Sequence, residues 1–482
     1  MLAPVTANMS VRRATAAVIA RAGLMRTPQL ARPARFLASI SNDNRPVRRP
    51  SAATRPVTPA GSSASASTKA EPPVLPGLLR LQTGETFQAT SFGAPLNPAS
   101  PVTGEIVFTT ALVGYPESMT DPSYRGQILV FTQPLVGNYG VPSASRDRFG
   151  LLDHFEADGI QVQGIIVNDY AAKYSHWNAI ESLGKWCARH GVPALSGVDT
   201  RAVVTLLRER GSTLAEISVG ENANDHANAI FEDPNTRNLV AEASTRQKTF
   251  YNKDGGDVTV ALIDCGAKHN IIRSLAKRGA TVVVVPWNHD LARDPVAYDG
   301  VFISNGPGNP QAAGQTVANL RTYMAKPSTA TTPIFGICMG NQLLGLAAGF
   351  SSYKLKYGNR GHNQPATNLV TGKCVITSQN HGYALDDSTP DRIPLGWTPF
   401  FRNANDGSNE GIRHVSKPWS SVQFHPEAMG GPLDTDYLFD DFLTSVREYK
   451  ARKTVQHRVV VPAALEQQKK LERQPIAIGS AA

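Results

Sequence analysis

From residue 258 to residue 450 the chain alternates short β-rich runs with amphipathic helical stretches, and this alternation constrains the fold more than any other feature. Val258–Asp264 is β-rich, and His269–Lys277 reads as a helix closed by Gly279. Ala280–Pro286 holds four consecutive valines, Val282 to Val285. A run that is apolar at every position suits a strand buried on both faces. Residues 300–304 form a further strand and 316–324 a helix. Residues 333–337 are a strand that runs straight into a helix over 340–348. This order predicts an α/β fold, an open and mostly parallel sheet with helices on both faces. In such sheets the site lies beyond the C-terminal ends of the strands. The strand-end loops are therefore where chemistry is expected.

The rest of the chain divides by composition. Residues 76–244 read as a smaller, mixed α/β N-terminal domain. Residues 77–82, Thr86–Ser91 and 105–110 look like short strands with Gly84 and Gly93 at turns. Asp199 caps a helix, Thr200–Arg210, that ends at Gly211. Residues 245–257, polar and carrying Gly255 and Gly256, read as a linker. Residues 451–482 read as a polar tail, helical in part over 464–472.

Residues 1–75 are set apart by charge. They carry 11 basic and 2 acidic side chains, which accounts for the whole formal net charge of +9. Arg12, Arg13, Arg21, Arg26, Arg32 and Arg35 all precede the first acid, Asp43. Val11, Val18 and Met25 recur every seven residues, near one helix face. This Arg-rich, acid-poor pattern is that of a mitochondrial transit peptide, which predicts the mitochondrial matrix; a basic tail without import is the alternative. The Ser/Ala/Pro/Thr-rich stretch from Pro50 to Pro73 cannot bury enough surface to order itself. The body that follows is electrically neutral, which argues against a nucleic-acid partner. No apolar run is long enough to predict a membrane span. Cys187, Cys265, Cys338 and Cys374 show no paired spacing, so neither a disulfide framework nor a metal site is expected.

Three strand ends carry candidate chemistry. In Gly336-Ile337-Cys338-Met339-Gly340 a cysteine occupies the nucleophile position of a G-x-nucleophile-x-G elbow. The flanking glycines let strand and helix approach closely, and the helix N-terminus beside the sulfur favours the thiolate. Taken alone, the same pattern also fits a small buried residue at a tight turn. Val422-Gln-Phe-His425-Pro426-Glu427 ends a second strand. There His425 and Glu427 are two residues apart in extended chain and share a face. A histidine that takes the thiol proton and a carboxylate that sets its tautomer need that placement. Ser304-Asn-Gly306-Pro-Gly308-Asn-Pro310 follows a third strand, and its glycines let backbone N–H groups approach an oxyanion, with the Met339 N–H as second donor. Gln342 lies one helical turn past Cys338. Ser378-Gln-Asn380-His-Gly382-Tyr383 reads as a polar loop after a strand that covers 374–377.

These motifs together resemble class I glutamine amidotransferases. Gly104-Glu-Ile-Val-Phe-Thr-Thr, the run from Gly114 to Tyr124 (GYPESMTDPSY), Gly137-Asn-Tyr-Gly and Gln379-Asn-His-Gly-Tyr resemble more closely the small, glutaminase chain of carbamoyl-phosphate synthetase. The leader together with a separate small chain resembles its arginine-specific mitochondrial form, with pyrimidine synthesis as the alternative pathway. The resemblance covers residues 76–450 in order. It implies Cys338 as nucleophile, His425 as proton shuttle and Glu427 as its partner. It implies Ser123, Gly306, Gly308, Met339, Gln342, Asn380, Gly382 and Tyr383 as contacts of L-glutamine, with the pocket at or near the domain interface. The family usually has Leu and His where Met339 and Asn341 stand here. The implied reaction is hydrolysis of glutamine through a glutamyl thioester, with ammonia passed through a channel to a large chain that makes carbamoyl phosphate for arginine biosynthesis. No G-x-x-x-x-G-K-[ST] loop is present, so no cofactor is expected in this chain; ATP, magnesium and bicarbonate belong to the large chain. Two alternatives remain at this point, the glutaminase part of another synthase and a catalytically dead regulatory scaffold.

Overall fold

The computed structural model describes residues 70–97, 100–220 and 230–472, with side chains to residue 455. The expected leader lies outside the described residues except for its last few positions.

The first region is a closed barrel of seven strands. These are β1 (Leu75–Leu81), β2 (Thr86–Ser91), β3 (Val102–Thr109), β4 (Gln127–Phe131), β5 (Gly164–Ile166), β6 (Ala194–Ser196) and β7 (Thr213–Val219), in the order β1-β7-β3-β4-β5-β6-β2. Alternate residues of the strands, among them Leu79, Ile106, Ile128, Ile166, Leu195 and Ile217, meet in one apolar cluster with Val203 and Leu207 of helix α1 (Thr200–Arg210). The Asp199 side chain accepts from the Ala202 N–H at 2.9 Å, the cap the sequence announces. Barrel closure pairs residues far apart in sequence, so the pattern of short strands announced its pieces but not its topology.

The second region is built on a ten-stranded open sheet. Its strands are β8 (Thr249–Tyr251), β9 (Val258–Asp264), β10 (Ala280–Pro286), β11 (Gly300–Ile303), β12 (Ile334–Ile337), β13 (Ser351–Asn368), β14 (Cys374–Asp386), β15 (Trp397–Asn403), β16 (Asn409–His414) and β17 (Trp419–Val422), in the order β8-β10-β9-β11-β12-β17-β16-β15-β13-β14. The five strands β10-β9-β11-β12-β17 run parallel. An antiparallel flank, β16-β15-β13-β14, extends them. Helices α2 (His269–Lys277), α3 (Gly314–Ala325), α4 (Met339–Ala348) and α5 (Tyr437–Glu472) complete the layers. The valine run of β10 divides as a doubly covered strand must. Val283 and Val285 join the cluster under α3 and α4, whereas Val282 and Val284 join the one under α2 and α5.

Three details differ from the sequence reading. The stretch read as a linker contains β8, which pairs with β10 through Thr249, Phe250 and Tyr251. Residues 378–383 are not a loop; they lie within β14 and pair with β13, whose register shifts twice. The stretch is polar because Asn380, Gly382 and Tyr383 line the site while Gln379 and His381 bond to each other, and that polarity disguised a strand. Helix α5 runs straight through the boundary placed at residue 450. Its early residues Leu438, Phe439, Phe442, Leu443, Val446 and Tyr449 recur at helical spacing and are buried against the sheet.

Candidate active site

The site forms at the C-terminal ends of β9, β11, β12 and β17, where the barrel region leans against the sheet. Strand β12 ends at Ile337, and Cys338 makes the bend into α4 at φ 54°, ψ −101°. A non-glycine residue at positive φ is strained by about 1–3 kcal/mol and is kept only where the surroundings enforce it. Both neighbouring glycines are needed for the bend. A Cβ on Gly336 would lie 2.5 Å from the Gly340 carbonyl oxygen, and one on Gly340 would lie 2.2 Å from that of Ile303. The Cys338 thiol is 3.5 Å from the Asn380 carbonyl oxygen.

His425 follows the end of β17. Its Nδ1 lies 2.7 Å from Glu427 Oε1, and both side chains are buried. The carboxylate accepts from Nδ1, with the Lys268 ammonium 3.2 Å from the same nitrogen, and this turns Nε2 toward the sulfur. Nε2 has no hydrogen-bond partner at normal geometry, yet Cys338 is near enough to act on the ring. Burial and the Lys268 ammonium push the His425 pKa down; Glu427 and the Cys338 sulfur outweigh them and raise it above the ordinary imidazole value. Against burial, Lys268 and His425 hold the Glu427 carboxyl well below the usual range, at about 2.

Ser123, Gly306, Gly308, Cys338, Met339, Gln342, Asn380, Gly382 and Tyr383 line one cavity. His425 lines an adjoining one, and Asn380 borders both. Glu427 lines neither and sits behind the imidazole. Ser123 arrives from the barrel region, where its Oγ accepts from Asn305 Nδ2 at 2.9 Å. Gly306 packs so closely that a Cβ would lie 2.1 Å from the Cys265 carbonyl oxygen. Met339 opens α4, so its N–H is among the donors a helix leaves free at its start. Gln342 donates to the Tyr383 carbonyl at 2.9 Å, which ties α4 to β14. Asn341 is fully engaged, donating to Gln423 at 3.0 Å and accepting from Ser421 at 2.8 Å.

Sequence reasoning passed over the groups that join the two regions. Asp121 accepts from the Ser123 N–H at 2.9 Å, Asn380 Nδ2 at 3.0 Å and Asn305 Nδ2 at 3.4 Å. Lys268, 6% exposed, reaches Asp121 at 3.4 Å and Glu427 at 3.2 Å. Burial opposes the charge on Lys268, but Asp121, Glu427 and Glu156 together hold it protonated and raise its pKa. Glu156, from the barrel region, caps α2: its carboxylate accepts from the Asn270 N–H at 3.1 Å and its carbonyl from that of His269 at 2.9 Å. Asp121 lies inside a quoted family motif and Lys268 in the loop after β9. Their positions were visible, but their convergence was not.

What the fold and the strained cysteine bend define is a class I glutamine amidotransferase, a glutamine-hydrolysing enzyme; the family model described as Glutamine amidotransferase class-I matches residues 261–445. The barrel narrows this further, because residues 79–217 match the model described as Carbamoyl-phosphate synthase small chain, CPSase domain. The carbamoyl phosphate synthase arginine-specific small chain of Neosartorya fischeri is 56% identical over 377 residues, covering 78% of this chain and 81% of that protein. Its namesake in Schizosaccharomyces pombe is 55% identical over 377 residues, covering 78% and 88%. The chain therefore belongs to the carbamoyl-phosphate synthase small-chain family. Among solved structures, a glutamine amidotransferase from Thermotoga maritima aligns at 18% identity with a TM-score of 0.30, over 44% of this chain and 93% of that one.

Proposed function

We propose that this chain is the glutaminase subunit of an arginine-specific carbamoyl-phosphate synthase, with Cys338, His425 and Glu427 as its catalytic triad. The observation that carries the reading is the strained Cys338 bend, set beside a histidine whose Nε2 is free and whose Nδ1 is held by a buried carboxylate. In this mechanism His425 Nε2 takes the Cys338 proton, and the thiolate attacks the side-chain amide carbon of glutamine. The N–H of Met339 and those of the Gly306–Gly308 turn stabilise the tetrahedral oxyanion. As the C–N bond breaks, His425 returns the proton to the departing nitrogen, leaving ammonia and a glutamyl thioester. His425 then draws a proton from water, whose oxygen attacks the thioester, releasing glutamate and the thiol.

Ser123, Gly306, Gly308, Met339, Gln342, Asn380, Gly382 and Tyr383 are the glutamine contacts on this reading. Ammonia leaves on the His425 side and passes to the large chain, which uses ATP, magnesium and bicarbonate to form carbamoyl phosphate. The basic leader directs import to the mitochondrial matrix, where the two chains form a heterodimer.

Cys338→Ala in the holoenzyme should abolish glutamine-dependent carbamoyl phosphate synthesis, a loss of about 10⁴-fold or more, while synthesis from free ammonia continues. Retained glutamine-dependent synthesis would refute the nucleophile assignment. Fusing residues 1–75 to a fluorescent reporter tests the address; a cytosolic signal would remove it.

A further inference from the structure

Three charged side chains line the Cys338 cavity, Glu105, Lys354 and Arg360. Two of them cancel: Lys354 Nζ lies 2.6 Å from Glu105, whose other oxygen accepts from Gln127 at 2.8 Å. The third is left over. Arg360 is 5% exposed. Its Nη1 donates to the Tyr357 carbonyl at 2.7 Å, and its Nε is buried without a partner. Among the described residues its Nη2 donates to nothing, and no carboxylate pairs with the guanidinium. Burial lowers its pKa without coming near to neutralising a guanidinium. The Glu105 carboxylate acts on the guanidinium through space without bonding to it; a buried cation with no direct ion-pair partner is costly, and a donor fork of this kind matches a carboxylate.

The surroundings are shaped around this group. Arg360 stands directly opposite Asn380 in the β13–β14 register. Its carbonyl is clamped by the Thr110 N–H at 3.2 Å and the Thr110 hydroxyl at 3.1 Å. A Cβ on Gly358 would lie 2.6 Å from Nη1, and one on Gly382 would lie 3.3 Å from Nη2. Both glycines therefore leave room for the guanidinium, and the unpartnered Nη2 is the one beside Gly382 on the cavity wall. The sulfur of Cys338 is close enough for its charge to act on the guanidinium. Glutamine carries one anion, its α-carboxylate, four bonds or about 5 Å from the amide carbon that the thiol attacks.

We propose that Arg360 binds the α-carboxylate of glutamine and so sets the preference for a substrate with that group free. The inference rests on the reading of the Cys338 cavity as the glutamine site and adds the group that reads the far end of the substrate. Glycine at 382 is then required twice, as a cavity wall and as space for Nη2.

The test compares L-glutamine with glutaminamide, in which a neutral carboxamide replaces the α-carboxylate, using the holoenzyme and following the glutamate or isoglutamine formed. The wild type should prefer glutamine strongly. Arg360→Gln should lower kcat/KM for glutamine by about 30-fold, the worth of a charge-assisted hydrogen bond, mainly through KM. It should leave glutaminamide within about threefold of wild type, so that the preference collapses. Equal losses on both substrates would reduce Arg360 to a packing role, and no loss on either would dismiss it. If Arg360→Gln fails to assemble, the wild type alone decides: similar kcat/KM for the two substrates overturns the proposal, and a strong preference that Gly382→Ala erodes supports it. Failure here leaves the Cys338→Ala result untouched, so the two readings fall separately.

Discussion

The two cavities that meet at Asn380 differ in what their polar groups face. On the Cys338 side the lining is mostly backbone and neutral side chains, Glu105 and Lys354 cancel each other, and the unspent donors of Arg360 face the space a ligand would fill. On the His425 side the charged groups face one another: Lys268 lies between Asp121 and Glu427, with Glu156 close by. In the first arrangement a charge is left for a ligand, whereas in the second the charges are paired with one another and hold the His425 ring and its carboxylate in place. On the proposed reading, one side recognises the substrate and the other manages protons and releases ammonia.

The largest test of this division is Asp121, which touches both sides. Removing a partner from a buried, hydrogen-bonded charge pair costs about 3–5 kcal/mol. Asp121→Ala should accordingly lower glutamine-dependent kcat/KM by about 100- to 4000-fold, with kcat and KM both affected. A pure KM effect in steady-state kinetics would show that the two sides work independently.

A smaller effect should separate them. Burial pushes the Glu156 carboxyl up to about 7, in spite of Lys268. Glu156→Gln can keep the cap on α2 but cannot titrate. It should flatten the pH dependence of kcat between about 6 and 8, change kcat by about two- to fivefold and leave KM for glutamine nearly unchanged. An unaltered pH profile would exclude Glu156 from proton management.

The smallest expected effect is on stability alone. His381 of β14 and Glu410 of β16 are 3.8 Å apart, close enough to suggest an ion pair. Burial instead pulls His381 down to about 4 and pushes Glu410 up to about 8, so both are neutral at pH 7. A carboxyl whose folded pKa exceeds its unfolded one holds its full stabilisation below the unfolded value and loses it as pH rises through the folded value. Wild type should therefore lose up to about 1.4 kcal/mol per pH unit between about 5 and 8 from this group. Glu410→Gln should remove that part of the slope in thermal melts across this range while leaving glutamine kinetics close to wild type. An unchanged slope would mean that Glu410 is already ionised in the folded protein.

How much of this could be read beforehand varied with the range of the interactions. Helix α1 with its Asp199 cap and Gly211 stop, the doubly buried valine run of β10 and the Gly336–Gly340 bend were all legible, because their causes lie within a few residues of one another. Strand β14 was taken for a loop at residues 378–383 because polarity on a strand normally marks solvent, and here it marks the site. Asp121, Lys268, Glu156 and Arg360 gave no comparable signal, since nothing near them in sequence shows what they meet.

The sequence by itself determined the local geometry: a cysteine on a bend that only flanking glycines permit, a histidine and a carboxylate two residues apart, and strands whose ends place both on the same edge of a sheet. Only the tertiary structure decided that Asp121 reaches that edge from the barrel, that Lys268 is enclosed by carboxylates, and that one guanidinium is left without a carboxylate partner. Backbone conformation follows from neighbours along the chain. The state of a buried charge follows from which distant groups share its low-dielectric surroundings, and chain folding alone brings those together.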